Sequence, residues 1–170
     1  MGRAEKTAAG ATFVHLRLHT EYSLMDGIVR VPRLMRAVAD AGMPAVALTD
    51  HGNLFAMVKF HREAERAGVK PVIGADLFLR EAGERTEPSR LTLLAQDSEG
   101  YRNLTRLVSR SYLEGQQSGR PLLDRALLNP ASTAGLIALS GAGEGDVGRA
   151  LVAGRDAEAR ALLGQWLALF

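Results

Sequence analysis

The sequence predicts an α/β fold in which parallel strands alternate with helices. Three observations carry that expectation. The 170 residues contain five short apolar runs, and each run is followed by a segment of helical periodicity. The composition, 46% hydrophobic and 24% charged, is that of a packed domain rather than a disordered chain. Strand and helix in strict alternation imply right-handed crossovers, with helices covering the sheet of a barrel or of an open doubly wound fold. In either case the strand ends that lead into helices form the functional face.

The first run is Val14 to Leu18, where Val14, Leu16 and Leu18 alternate with His15, Arg17 and His19. Pro32 suits the first turn of a helix that buries Leu34, Val38 and Ala41 and stops at Gly42. The second run, Ala45 to Thr49, leads into Asp50-His51-Gly52-Asn53. A helix over about 54–67 then turns Phe55, Val58 and Ala64 inward. The third run, Pro71 to Arg80, is interrupted by Gly74, the mark of a bend or a close backbone approach. Glu81 to Ser89 reads as an exposed loop. Run four, Leu91 to Ala95, precedes a helix over about 98–114 with Leu104, Leu107, Val108 and Ser111 on one face. Run five, Leu136 to Leu139, is followed by a turn containing Gly141, Gly143 and Gly145, then by a helix through Ala150. A last helix places Ala159, Leu162, Leu163 and Trp166 on one stripe. The apolar finish, Trp166 to Phe170, reads as a cut through a larger protein.

Composition excludes several classes. Absence of cysteine removes disulfides, thiolate metal sites and a catalytic thiol. No apolar run approaches the ~20 residues that span a bilayer, and the opening Met1 to Lys6 is neither a signal peptide nor a myristoylation signal. An intracellular, soluble domain without membrane partners is expected. The net charge of +2 comes from charges that alternate in sign, as in Arg62-Glu63-Ala64-Glu65-Arg66, rather than from a basic stripe for nucleic acid.

The polar residues with chemical promise fall where loops should follow strands: His19 and Asp26, Asp50 and His51, and Asp76. Imidazole and carboxylate converging from three strand ends suit a divalent ion such as zinc or manganese. The plainer reading is that His19 and Asp26 brace loops and that Asp50 caps a helix. Gly141-Ala142-Gly143-Glu144-Gly145 lacks the ending of a phosphate loop and reads as a turn.

A family likeness rests on the residues themselves. His15-Leu16-Arg17-Leu18-His19, Ser23-Leu24-Met25-Asp26-Gly27, Thr49-Asp50-His51-Gly52-Asn53, Lys70-Pro71-Val72-Ile73-Gly74-Ala75-Asp76 and Ala138-Leu139-Ser140-Gly141 occur in order. Together they resemble the N-terminal PHP (polymerase and histidinol phosphatase) domain of bacterial replicative DNA polymerase III alpha subunits, of the proteobacterial type. The resemblance implies a parallel (βα) barrel of the PHP type, truncated here after about five βα units. A flexible extension is expected over 1–12 and a partial PHP domain over 13–170, with the polymerase core absent.

In active members of that family a set of histidines and acids holds three metals. The resemblance places His19, Asp26, His51 and Asp76 at ligand positions, while Arg17, Arg90 and Ala142 stand where the family has ligands. Guanidinium has no lone pair to give, so it cannot ligate a cation. The four remaining positions are therefore expected to be vestigial, with no catalytic residue here. No cofactor is expected beyond a weakly bound zinc or manganese ion; magnesium belongs to the full polymerase. What the resemblance implies is a structural domain that docks the epsilon proofreading exonuclease within the polymerase III holoenzyme, DNA being held by the polymerase core. The alternative is a working metal-dependent phosphoesterase, a 3′–5′ exonuclease or pyrophosphatase.

Overall fold

A computed structural model describes residues 13–24, 26–80 and 87–170. The expected N-terminal extension, Met25 and most of the predicted 81–89 loop lie outside the described residues. Six strands are present: β1 (Ala45–Leu48), β2 (Lys70–Arg80), β3 (Ser89–Ala95), β4 (Gln116–Gln117), β5 (Arg120–Asp124) and β6 (Leu136–Leu139). The helices are α1 (Val31–Asp40), α2 (Met57–Ala67), α3 (Ser98–Leu113), α4 (Pro130–Thr133), α5 (Asp146–Val152) and α6 (Asp156–Leu167).

The sheet is mixed, which corrects the expectation of an all-parallel barrel. Its path runs β4-β5-β2-β3-β6, with β1 also paired to β2, and among the described residues it does not close. β2 is parallel to β1 and β5 but antiparallel to β3, and β3 is antiparallel to β6. The reason lies in loop length: the few residues between β2 and β3 are too short for a parallel crossover, which takes a dozen or more. The small β4–β5 hairpin turns at Ser118-Gly119, both at positive φ, and was not expected from the sequence.

The first apolar run forms no ladder of its own. It runs irregularly beside β1 through a parallel bridge from His15 to Val46 and through Thr49 N–H donating to Leu18 O at 2.9 Å. Gly74 sits within an unbroken β2, and its role is the close approach: an added Cβ would lie 2.5 Å from Leu93 O. α3 starts where Asp97 accepts hydrogen bonds from Glu99 N–H and Gly100 N–H, both at 2.9 Å.

Two cores result. α1 and α2 pack Val31, Leu34, Met35, Val38 and Phe60 on Val46 and Leu48 of β1. On the longer strands, Leu77, Leu79, Leu91, Leu93 and Leu123 meet Leu104 and Leu107 of α3, with Trp166 beside them. Each fully buried large side chain contributes about 1.5–3 kcal/mol relative to exposure. Four expected inward residues are outside: Ala41, Phe55, Val58 and Leu163 are exposed. α2 begins at Met57 rather than at 54, so Phe60 and Ala64 are its buried residues.

Candidate metal centre

The sequence-predicted residues meet beyond the end of β1, beside the middle of β2, and the local folding explains why. Backbone pairing with β2 continues past the end of β1 into a parallel bridge from His51 to Asp76, which lies mid-way along β2. This sets the two side by side. Asp50, fully buried, accepts hydrogen bonds from Thr20 N–H (2.6 Å), Thr20 Oγ1 (2.8 Å) and Ser23 Oγ (2.7 Å). It therefore braces the 20–24 turn instead of capping a helix, and Ser23 Oγ in turn accepts His51 N–H at 3.1 Å. Burial of a carboxylate costs several kcal/mol unless such donors surround it. The result is a turn that carries His19 and Asp26 to His51.

Asp76 is the hub. Its side chain is fully buried, and Oδ2 accepts from Arg17 Nε and Arg90 Nη1, each at 2.9 Å. His19 Nε2 also lies 2.9 Å from Oδ2, and Oδ1 accepts from Thr92 Oγ1 at 2.8 Å. Burial alone pushes this carboxyl pKa up. Hydrogen bonds from His19 and Arg17, the Arg17 charge and the Thr92 bond outweigh it and hold Asp76 well below the usual carboxylate range.

His51 and Asp26 are hydrogen-bonded through Nε2 and Oδ2, and Asp26 Oδ2 lies 3.7 Å from His19 Nδ1. The two imidazoles lie 3.9 Å apart between centroids. Burial, then the neighbouring His19, lowers the pKa of His51 despite the Asp26 bond, and Arg90 at 3.2 Å adds to that. Arg90 also lies over the Phe78 ring at 4.6 Å, and Glu144 Oε2 approaches both Arg17 (3.4 Å) and Arg90 (3.3 Å). Gly141, at φ 74°, brings the Glu144 turn against Arg90, whose carbonyl would sit 2.3 Å from an added Cβ.

All four expected ligand positions are thus brought together, and both arginines lie among them. Ala142 opens the short 142–144 turn beside Glu144. The sequence reading missed Thr92 and Glu144. Thr92 stands opposite Asp76 in the antiparallel register, a signal that exists only once that pairing is known.

His19, His51 and Asp76 offer one ligand atom each within 4.8 Å of one another, so the cluster could hold a metal ion by distance. The chemistry of the donors argues against a larger set. Oδ2 of Asp76 already takes two guanidiniums, and like unit charges ~4 Å apart repel by about 4 kcal/mol at an effective dielectric of 20.

Residues 15–170 match the PHP domain family. A DNA polymerase III subunit alpha from Pseudomonas aeruginosa is 52% identical over 159 residues, covering 94% of this chain and 14% of that protein. The Escherichia coli K12 subunit of the same description is 43% identical over 145 residues, covering 85% of this chain and 12% of its own length. The chain therefore spans about a seventh of the curated relatives it matches. Among solved structures, an amidohydrolase from Chromobacterium violaceum overlays with a TM-score of 0.45 at 18% identity, over 56% of this chain and 32% of that one, too loose a match to argue from. The match over nearly the whole chain places it in the PHP domain family, alongside the N-terminal region of proteobacterial DNA polymerase III alpha subunits.

Proposed function

We propose that this chain is a degenerate PHP domain of a replicative DNA polymerase alpha subunit, with a structural and docking role in place of catalysis. One observation carries the reading: Arg17 and Arg90 both bond to Asp76 Oδ2, where an active site would use that oxygen for metal. Fixed guanidinium charge takes the place of ion charge. Without an array of ions nothing polarises a phosphate or generates hydroxide. His19, Asp26, His51 and Asp76 then serve as vestigial ligands that tie the 19–26 segment and the residues after β1 to the middle of β2. In the whole protein the polymerase reaction belongs to a separate core, and the PHP surface receives the epsilon proofreading exonuclease.

Metal-free chain exposed to zinc and manganese is expected to retain fewer than two ions by elemental analysis; two or more tightly held ions per chain overturn the reading. Immobilised epsilon exonuclease is expected to capture the chain. Failure to do so, with the chain folded by circular dichroism, removes the docking role.

A second reading has its own support, the close approach of His19, His51 and Asp76. In it one ion displaces an arginine and the domain is a metal-dependent phosphoesterase. Chelator-sensitive hydrolysis of a 3′-terminal nucleotide, lost in His51→Ala, would establish it.

A further inference from the structure

The two arginines that meet at Asp76 Oδ2 are not held alike. Arg17 reaches that oxygen with a side chain that is 39% exposed, and its other acidic neighbour, Glu144, is on the surface at 3.4 Å. Arg90 is only 11% exposed. Its Nη1 bonds Asp76 Oδ2 at 2.9 Å and lies 3.2 and 3.3 Å from Nε2 and Nδ1 of His51. Arg90 therefore touches two of the three side chains able to hold an ion, while Arg17 touches one. Phe78 stands two residues after Asp76 on β2, so both side chains share one face of the sheet. It also lies directly opposite Arg90 in the β2–β3 register. The guanidinium carbon lies 4.6 Å from the centre of the Phe78 ring, and His51 stacks on the same ring at 5.7 Å with the planes 19° apart.

We propose that Phe78 is the positioning residue that excludes metal ions from this cluster, its ring holding the Arg90 guanidinium across Asp76 and His51. A guanidinium over an aromatic face is attracted by the ring quadrupole, most strongly where water is shut out, as it is at Arg90. Stacking of the planar group fixes the orientation of its fork as well as its place, so Nη1 stays aimed at Oδ2. Without the ring, Arg90 keeps its charge but loses its platform, and water can draw its head away on a flexible stem. Oδ2 of Asp76 and the His51 nitrogens are then open to a cation. The inference rests on the reading that fixed arginine charge replaces ion charge. It adds which arginine does so and what secures it.

Zinc titrations of the 170-residue chain by isothermal titration calorimetry test it. Phe78→Leu is expected to bind a zinc ion about tenfold more tightly than the parent, the worth of a desolvated cation–π contact. Loosening His51 would weaken zinc instead, so a gain reports the release of Arg90 and a loss overturns the proposal. Phe78→Tyr, which keeps the ring face, should bind as the parent does. Arg90→Gln should gain at least as much as Phe78→Leu, and the double variant no more than Arg90→Gln alone, because Phe78 acts through Arg90. A double variant that binds more tightly still overturns that route. Arg17→Gln should change affinity by less than about threefold, its pair being screened by solvent; a gain equal to that of Arg90→Gln overturns the assignment to Arg90. If Phe78→Leu does not fold by circular dichroism, Phe78→Ile, an apolar residue that favours strands, carries the same expectation. Two or more ions on the parent chain remove the underlying reading. A parent with fewer, beside a folded Phe78→Leu chain that binds zinc no more tightly, removes this inference alone.

Discussion

Two aspartates among the described residues are clamped by arginine, and the contrast between them separates a strut from a candidate metal cluster. Asp146, at the start of α5, accepts Arg125 Nη1 at 2.6 Å and the Trp166 indole N–H at 3.0 Å. Arg125 stacks over that indole at 4.1 Å, so the arrangement pins α6 to the core. Asp76 gathers its partners from residues 17 to 92, and around it stand two histidines, a second arginine and two further carboxylates. A strut needs one charge pair with good packing. Paired imidazoles 3.9 Å apart are more than a strut requires and are the stock of a ligand set. The difference is that the Asp76 cluster gathers groups able to ligate a metal ion, His19 and His51, which the Asp146 strut lacks.

The largest effect expected from breaking this contrast is at Asp76. Asp76→Asn leaves two guanidiniums facing a neutral amide and is expected to cost about 3–5 kcal/mol by urea unfolding. The pH dependence sharpens the same point. The folded-state pKa of Asp76 lies below its unfolded value of about 3.9, so its stabilisation is complete well above that pH and fades as pH falls through and below it. The Asp76→Asn chain should therefore lose less stability than the parent between about pH 5 and pH 3. Parallel curves would show that Asp76 is not the acid-sensitive group.

Trp166→Phe tests the strut. It keeps a ring but removes the N–H that Asp146 accepts and weakens the stack with Arg125, for an expected loss of about 1–2 kcal/mol. Metal uptake should not change. Arg17→Gln should cost less, about 1 kcal/mol, because the Arg17 side chain is 39% exposed and solvent screens its pair with Asp76. A loss as large as that of Asp76→Asn would make Arg17 the dominant clamp. Arg66→Gln, which breaks only an exposed pair with Glu63, should leave the melting temperature unchanged.

Much of this was legible in the residues. The helices over 31–40 and 98–113 and the strands over 70–80, 89–95 and 136–139 follow from spacing and caps, and the side chains of His19, His51 and Asp76 meet, with Asp26 bonded to His51. Strand direction was not read. Alternation of strand and helix suggests parallel pairing, yet the polar segment after Arg80 is too short for a crossover, and length decides. The β4–β5 hairpin was hidden because Gln116 to Arg120 carries no apolar alternation. Phe55 was assigned inward on a helical wheel that begins too early; it lies in the turn before α2 and is 66% exposed. Asp50 was placed at a cap because its position before a helix is the same for either role. Only the distances to Thr20 and Ser23 tell them apart.

β2 belongs to both cores: Ile73 packs with the helix pair, while Ala75, Leu77 and Leu79 lie in the larger cluster. The same strand bonds to β1, β3 and β5. Neither core can come apart without disturbing the ladder that supports the other. Two hydrophobic clusters in one chain would ordinarily invite two separate melting events. Here a common spine couples them, and heat is expected to produce one cooperative transition, seen alike by calorimetry and by the sole tryptophan.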